Sequence, residues 1–231
     1  MNILNAFRIS AWRRLIDTYG TRWYPRLGPQ FFKARYIADG VMSRHDMASV
    51  VGPNPARNDY RFYLTKTFAQ HAMKLEGLFV SLGVAQGDHA LRILQEVKPH
   101  NPFWLVDSFD GRRSAADPSF KEGYVSDVMV IRDRFKAFSN VHILQGLVPQ
   151  VLGKLPDGPI AWGHFNLTDP DSEIPAIEML GPRLVRGGVV IVDNFGRASS
   201  SDEQRRGYLR AAEKIGLAML VLPTGHGVIF G

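Results

Sequence analysis

Oxygen-bearing side chains close two apolar runs in the second half of the sequence. Asn166 and Asp169 stand at the end of a run that begins at Ile160, and Asp193 and Asn194 close the next such run. Carboxylate and amide oxygens at neighbouring strand ends can bind a hard cation such as Mg²⁺, and a carboxylate can also accept a proton. The same residue types often start turns before helices, so the pattern by itself leaves both interpretations open.

A glycine-bounded turn follows an earlier apolar run. The run Leu78–Leu82 leads into Gly83-Val84-Ala85-Gln86-Gly87, and a helical pattern starts at His89. Strand, glycine turn and helix bring backbone N–H groups up to a nucleotide-like ligand. Asp107 closes the next predicted strand, and an acid about 20 residues beyond such a turn accepts hydrogen bonds from ribose hydroxyls. The two features together favour an adenosine-type ligand over a purely structural turn and a solvated Asp.

The elements that must position these residues alternate between strand and helix. This alternation predicts a doubly wound α/β fold with a mostly parallel seven-stranded sheet covered on both faces, the last two strands forming a hairpin at its edge. The predicted strands are Leu78–Leu82, Phe103–Asp107, Val141–Gln145, Ile160–Leu167, Gly188–Asp193, Ala218–Leu222 and Gly227–Phe230. The predicted helices are Asp59–Lys74, His89–Val97, a segment within Phe120–Phe138, Val148–Leu155, Ile174–Leu184 and Glu203–Ile215.

Residues 1–57 differ in composition from the remainder of the chain. They hold nine Arg and Lys residues against three Asp, so the whole formal charge of +6 belongs to this segment. Basic and aromatic residues mixed in this way suit nucleic acid or an anionic membrane surface, but these basic residues are dispersed. We therefore predict a basic, aromatic-rich helical arm over 1–57 that packs on its own body or makes a homo-oligomer, and a ligand-binding domain over 58–231. No nucleic-acid partner is expected.

Composition excludes several classes of function. The 231 residues include no cysteine, which rules out disulfides, thiolate metal sites and cysteine nucleophiles. No run approaches the ~18 apolar residues of a membrane span, and the first residues lack the features of a secretory signal. A cytoplasmic protein without a transmembrane segment is the expectation. The seven histidines are scattered without metal-ligand spacing, and the sequence contains no G-x-S-x-G nucleophile motif and no phosphate-binding Walker loop.

Five blocks of the sequence follow one another along the predicted strands and turns. These blocks are SLGVAQG (residues 81–87), VDSFDG (106–111), GLVPQVL (146–152), HFNLTDPDSEIPAIEMLGPRLVRGG (164–188) and GVVIVDNFG (188–196). In their order and spacing they resemble blocks of the macrocin O-methyltransferase family, and the resemblance runs from about Arg61 onwards.

The resemblance implies a class I, Rossmann-like fold and an S-adenosylmethionine-dependent enzyme. Members of the family methylate sugar hydroxyls in natural-product pathways and usually need Mg²⁺. The turn from Gly83 to Gly87 would cradle the methionine end of the cofactor, Asp107 would hold the ribose, and Gly146 and Leu147 would lie by the adenine. The complete set of implied cofactor contacts is Ser81, Gly83, Val84, Gly87, Asp107, Ser108, Gly146, Leu147 and Asn166.

The chain departs from the family at its acidic positions. Ser81, Asn166 and Thr168 each stand where the family has an acid, and Asn194 replaces the second acid of a pair whose first member, Asp193, remains. The implied metal ligands are Asn166, Asp193 and Asn194. Because this set has a single negative charge, and Mg²⁺ relies on charged oxygens, we expect weak Mg²⁺ binding or none.

The departures also bear on catalysis. A threonine hydroxyl such as that of Thr168 cannot remove a proton from a sugar alcohol near neutral pH. Asp169 and Asp193 are the predicted catalytic residues, with His164 as a further candidate. The sequence predicts an O-methyltransferase acting on a sugar or another small natural-product-like acceptor. A catalytically impaired subunit that binds S-adenosylmethionine or its demethylated product is the alternative, and a nicotinamide-dependent oxidoreductase fits the glycine turn alone.

Overall fold

Seven strands and the helices between them make up the described part of the chain. The computed structural model describes residues 56–109, 127–167, 169–195, 202–222 and 225–231. The strands are β1 Leu78–Leu82, β2 Phe103–Asp107, β3 Val141–Gln145, β4 Ile160–Phe165, β5 Leu184–Val192, β6 Met219–Val221 and β7 Gly227–Phe230. The α-helices are α1 Ala56–Ala72, α2 Asp88–Glu96, α3 Val128–Phe135, α4 Pro170–Leu180 and α5 Asp202–Lys214, and short 3₁₀ helices cover Gln150–Lys154 and Gly181–Arg183.

All seven strands belong to one sheet, with the order β3-β2-β1-β4-β5-β7-β6. Strands β1 to β5 are parallel to their neighbours, whereas β7 runs antiparallel to β5 and β6 antiparallel to β7. The order reverses direction at β1, which places the carboxyl ends of β1 and β4 side by side at the point where such sheets bind ligands. The predicted doubly wound, mostly parallel sheet with a terminal hairpin at its edge is confirmed.

The central strands β1 and β4 are buried along their whole length because helices cover both faces of the sheet. Every residue of β1 and of β4 is buried, as expected for strands in the middle of a parallel sheet. One face packs against apolar side chains of α1, α2 and α3, and the other packs against those of α4 and α5. The side chains at the carboxyl ends of the strands are therefore held by two packed cores.

Helix α4 begins earlier than the apolar periodicity predicted. The predicted span was Ile174–Leu184, whereas the helix covers Pro170–Leu180. Asp169 is its N-cap and accepts a hydrogen bond from the backbone N–H of Asp171, and proline suits the first helical position because its missing N–H would have no partner there. Capping decides where this helix starts, and the helical pattern expected over Val148–Leu155 shortens to the 3₁₀ turn.

The chain divides into two compact units, Met1–Arg61 and Phe62–Gly231. The sheet and all predicted site residues belong to the second unit. Residues 1–55 of the predicted helical arm over 1–57 lie outside the described residues, as do residues 120–126 of the expected helical pattern over Phe120–Phe138 and Thr168. Within the rest of that pattern, Val128–Phe135 form α3. Among the helices of the described residues, none is long and apolar enough to cross a membrane.

Candidate functional site

The loops that carry the predicted site residues lie next to one another along the carboxyl edge of the sheet. Backbone hydrogen bonds extend the strand ladders past the strand ends and join each loop to its neighbour. They run from Gly146 N to Asp107 O (2.9 Å), from Gly83 N to Val106 O (3.0 Å), from Asn166 N to Leu82 O (2.9 Å) and from Asp193 N to Phe165 O (2.8 Å). Residues that are far apart in sequence therefore form a continuous row at one edge.

Close packing requires the two glycines that bound the turn after β1. Gly83 has a φ of +74°, and a Cβ at this position would lie 2.4 Å from the backbone oxygen of Asn166. Gly87 has a φ of +84°, and its Cβ would lie 2.6 Å from the ring of Phe135. The turn is thus pressed onto the ends of β4 and α3, and Val84 between the glycines packs in the core. A cofactor would meet the backbone of this turn rather than the side chain of Val84.

Asp107 links the glycine turn to the end of β2. Its Oδ2 accepts a hydrogen bond of 2.8 Å from the backbone N–H of Ala85. Its Oδ1 accepts weaker hydrogen bonds of 3.4 Å from the Ser108 hydroxyl and from Phe109 N. The carboxylate is half-buried, and a carboxylate has about four acceptor sites, so after these three bonds it can still accept from a ribose hydroxyl.

The remaining predicted cofactor residues differ in exposure. Leu147, which follows Gly146 at the end of β3, is 66% exposed and is one of the most exposed large apolar side chains among the described residues. Ser81 is buried on β1 in register with His164. The buried Oδ1 of Asn166 accepts no hydrogen bond from the described residues. An apolar surface at Leu147 and an amide oxygen at Asn166 are both suited to contact a bound small molecule.

Two buried histidines lie beside Asp193, and a third, half-buried histidine stacks on one of them. His226 Nε2 lies 2.8 Å from Asp193 Oδ1, and His164 Nε2 lies 3.8 Å from the same oxygen. The ring of His89 stacks on that of His164 with their centroids 3.9 Å apart. His164 is a candidate from the sequence, whereas His89 and His226 show no metal-ligand spacing in it. Antiparallel pairing of Val192 with Gly227 places His226 opposite Asp193, and only this register reveals the contact.

His89 is held as a neutral imidazole. The hydroxyl of Thr65 donates its one hydrogen to Phe62 O, so it can only accept from His89 Nε2, 2.9 Å away. The buried Nδ1 of His89 has no hydrogen-bond partner among the described residues. Burial, and next the neighbouring His164, lower the pKa of His89 well below its usual value. His89 therefore carries a proton on Nε2 and none on Nδ1.

The loop after β4 is clamped at Leu167 from two directions. Glu173, fully buried on α4, accepts from Leu167 N at 3.1 Å and from the Tyr208 hydroxyl at 2.7 Å. The Asn194 side-chain N–H donates to Leu167 O. An Asp at position 194 could not make this second bond, because a carboxylate carries no proton to donate near neutral pH. Asn194 therefore has a structural task that its predicted role as a metal ligand does not explain.

Asp169 also has a structural task. Its Oδ1 accepts from Asp171 N at 3.1 Å and its Oδ2 accepts from the Ser172 hydroxyl at 2.9 Å. Both carboxylate oxygens of Asp169 are thus used to cap α4. Of the two predicted catalytic acids, Asp193 is the one that is adjacent to the histidines and is placed on the row of loops at the edge of the sheet.

The predicted metal ligands are poorly suited to Mg²⁺. Asp193 is their one carboxylate, and its Oδ1 is already bonded to His226. Asn194 uses its amide nitrogen to hold Leu167. In the part of the chain that the structure describes, no group of three or more His, Asp and Glu side chains is arranged to hold a metal ion. Because Mg²⁺ gives up its water reluctantly and relies on charged oxygens, this donor set does not fit it.

Comparison with known proteins points to one class of enzyme. The profile of a family described as "Methyltransferase domain" matches residues 80–195. No curated protein matches the chain by sequence.

Solved structures with the same fold include several methyltransferases. The O-methyltransferase NovP is 17% identical, with a TM-score of 0.59, over 74% of this chain and 78% of its own. The calicheamicin methyltransferase CalS11 is 16% identical, with a TM-score of 0.55, over 88% of this chain and 91% of its own. An O-methyltransferase from Bacillus cereus, solved in complex with SAH, is 13% identical, with a TM-score of 0.50, over 88% of this chain and 91% of its own. At these identities the likeness describes the fold.

Proposed function

The chain belongs to the methyltransferase-domain family, and from this premise we propose that it transfers a methyl group from S-adenosylmethionine to a hydroxyl of a sugar or another small natural-product-like acceptor. The observation that carries the proposal is the row of loops along the carboxyl edge, in which the glycine turn, Asp107, Leu147 and Asp193 are joined through neighbouring strands. The family match extends from β1 to the residues just after Asp193 and thus includes this whole row.

The residues at the ends of β1, β2 and β3 fit the parts of S-adenosylmethionine. The backbone of the turn between Gly83 and Gly87 would receive the methionine end. Asp107, which already accepts from Ala85 N, would accept a hydrogen bond from a ribose hydroxyl. The exposed side chain of Leu147 offers an apolar surface for the adenine. When bound, S-adenosylmethionine would supply an electrophilic methyl group.

The chemistry left to the chain is to position the acceptor and to take its proton. Asp193 is the residue that we assign to proton removal, since its carboxylate lies at the end of β5 and is 18% exposed. Asp169 is the weaker candidate because both of its oxygens cap α4. Asn166, whose amide oxygen is buried at the adjacent strand end, would accept a hydrogen bond from the acceptor or from the cofactor.

The class of acceptor is proposed from relatives. NovP is an O-methyltransferase, and CalS11 is described as a TDP-rhamnose 3'-O-methyltransferase of calicheamicin biosynthesis. The resemblance of the five sequence blocks to the macrocin O-methyltransferase family also favours a sugar hydroxyl. Acceptor specificity depends on loops that differ among proteins of one fold, so the particular sugar is a matter for experiment.

A methyl-transfer screen tests the proposal. The purified chain is incubated with S-adenosylmethionine labelled in its methyl group and with a panel of nucleotide sugars that includes TDP-rhamnose. We expect label in at least one sugar and an equal amount of S-adenosylhomocysteine. The variant Asp193→Asn should lower kcat about a hundredfold, within the range for removal of a general base, and Asp157→Asn at an exposed position should not.

The alternative of an impaired binding subunit makes a different prediction. Such a protein would bind S-adenosylhomocysteine and produce no methylated product from any member of the panel, and its Asp193→Asn variant would bind equally well. A chain that binds neither S-adenosylmethionine nor S-adenosylhomocysteine would contradict both proposals.

A further inference from the structure

The proton between His226 Nε2 and Asp193 Oδ1 belongs to the histidine nitrogen. A carboxylate that is ionised near neutral pH can only accept, so His226 Nε2, 2.8 Å from Asp193 Oδ1, must be the donor. Hydrogen bonds from a ring N–H to a charged oxygen are stronger than those between neutral groups. His226 therefore fixes one oxygen of the carboxylate and balances part of its charge.

His226 is itself held firmly and is not accessible. Its side chain is fully buried, immediately before β7. Its backbone oxygen accepts from Leu222 N at 2.8 Å, which closes the turn between β6 and β7. The pairing of Val192 with Gly227 then sets this turn against the end of β5. A residue so buried does not touch an acceptor, and its effect on the reaction has to pass through Asp193.

A second imidazole lies on the same side of the carboxylate. His164 is 3% exposed, and its Nε2 is 3.8 Å from Asp193 Oδ1. Stacking on His89 fixes the plane of the His164 ring, and His89 is fixed in turn by Thr65 on α1. The Oδ1 side of Asp193 is thus occupied by two buried imidazoles from β4 and from the turn before β7.

We infer that His226 is a positioning residue that orients and partly neutralises the Asp193 carboxylate, a task that a divalent cation would otherwise perform, so that the site works without such a cation. The inference rests on the proposed function for the role of Asp193. It requires that Asp193 keep its bond to His226 whether or not Mg²⁺ is present. The imidazole supplies the N–H donor, and His164 borders the same oxygen.

Nuclear magnetic resonance of the ring nitrogens tests this directly on the free protein. With ¹⁵N-labelled histidine at neutral pH, we expect a ring N–H on Nε2 of His226 that is protected from exchange and shifted downfield, in addition to the Nε2–H of His89 that is bonded to Thr65. The His226 resonance should disappear in His226→Gln, shift upfield in Asp193→Asn, and stay unchanged in millimolar MgCl₂ or after EDTA treatment. An Nε2 of His226 without a proton, or a saturable shift on Mg²⁺ addition, would overturn the inference.

Two variants of His226 separate positioning from folding. His226→Gln keeps an N–H close to the position of Nε2, whereas His226→Leu keeps the apolar volume but has no donor. With an acceptor from the methyl-transfer screen, we expect the Leu variant to lose at least tenfold in kcat with an unchanged KM for S-adenosylmethionine, and the Gln variant to recover most of the loss. Equal losses in the two variants would contradict a positioning role.

The readouts also separate this inference from the proposed function. A chain that fails to bind S-adenosylhomocysteine refutes the proposed function while the resonance of His226 is still measurable. A chain that methylates an acceptor only when Mg²⁺ is added refutes the inference and leaves the proposed function in place. His100→Gln, at an exposed position outside the site, is the matched control and should change neither the resonance nor kcat.

Discussion

Asp107, the predicted ribose-binding residue, also accepts a hydrogen bond from the backbone of the glycine turn. Its Oδ2 accepts from Ala85 N, so the carboxylate holds the glycine turn in place before a ligand arrives. A single side chain thus shapes the turn at β1 and the polar end of β2. Substitution at Asp107 can change the conformation of the turn, the affinity for the ligand, or both. The replacement residue determines which of these effects is measured.

We predict that Asp107→Ala lowers the affinity for S-adenosylhomocysteine more than Asp107→Asn does. The amide of Asn can still accept from Ala85 N but has lost the charge, whereas Ala loses both functions. Hydrogen bonds to charged groups are worth about 1.5–3 kcal/mol, which corresponds to roughly 10- to 100-fold in affinity. Isothermal titration calorimetry measures the effect, with the exposed Asp157→Ala as control. An unchanged affinity in Asp107→Ala would exclude a role in ribose binding.

His89 makes stability depend on pH in a defined direction. Its pKa is lowered in the folded chain, mainly by burial, so the unfolded chain binds a proton at a higher pH than the folded chain does. The contribution of neutral His89 to the free energy of unfolding has its full value above the ordinary pKa of histidine, about 6.5. This contribution is lost as the pH falls below that value. Stability should therefore decrease on mild acidification.

Comparison with His89→Gln isolates this contribution. Gln keeps an N–H for Thr65 but does not titrate in this range. The free energy of unfolding of the wild type, minus that of the variant, should fall by up to about 1.4 kcal/mol per pH unit below pH ~6.5. Urea unfolding at a series of pH values measures this difference. A difference that does not vary with pH would show that His89 takes up a proton in the folded chain as easily as in the unfolded one.

At the scale of the elements, the turn after β1 depends on the absence of a side chain at Gly83. A Cβ there would be 2.4 Å from Asn166 O, on a backbone with a φ of +74°. We predict that Gly83→Ala destabilises the fold by more than the ~1–2 kcal/mol of left-handed strain alone, because the loop after β4 must also move. Gly153→Ala is the control, since nothing lies within 4 Å of its Cβ position. Equal melting temperatures for both variants would contradict the close approach.

The clamp between α4, α5 and the loop after β4 gives a second prediction. Tyr208→Phe removes the donor to Glu173 Oε2, 2.7 Å away in a fully buried site. Leaving a buried acceptor without its donor lowers the free energy of unfolding by about 1–3 kcal/mol, and by more when the acceptor is charged. Urea unfolding should show this loss as a lower free energy of unfolding. Wild-type stability in Tyr208→Phe would indicate that the carboxylate finds another donor.

The sequence predicted most strand bounds closely, but it missed the start of β5, which lies at Leu184 and not at Gly188, as well as the start of α4. The bounds of β1, β2, β3 and β7 agree with the predicted runs because each is a short apolar segment between polar or turn residues. The start of α4 was wrong by four residues, because the cap at Asp169 decides it and apolar periodicity does not. A short apolar strand is visible in the local sequence, whereas apolar periodicity alone does not define where a helix starts.

The site was predictable where it follows from strand order alone. Asp107, Gly83, Asn166 and Asp193 each end a parallel strand or follow one directly, so a doubly wound sheet must bring them to one edge. The contact of His226 with Asp193 spans 33 residues and depends on antiparallel register, which no local pattern encodes. The departures at Asn166 and Asn194 were visible in the sequence, but the imidazoles beside Asp193 were not.

At the scale of the whole molecule, one sheet unites the cofactor half and the acceptor half of the proposed site. The ends of β1, β2 and β3 carry the residues assigned to the cofactor, and the ends of β4 and β5 carry Asn166 and Asp193. The histidines approach from α2, β4 and the turn before β7. Methyl transfer needs both halves in one arrangement, because proximity and orientation supply much of the rate.

Calorimetric titration of the full chain tests the central claim most directly. S-adenosylmethionine, S-adenosylhomocysteine and NAD are each titrated in the presence of Mg²⁺ and again in the presence of EDTA. We predict saturable one-site binding of S-adenosylmethionine and S-adenosylhomocysteine with the same affinity in both conditions, and no binding of NAD. Binding of NAD alone would contradict the assignment of the cofactor, and binding of S-adenosylmethionine only with Mg²⁺ would contradict a site that works without a divalent cation.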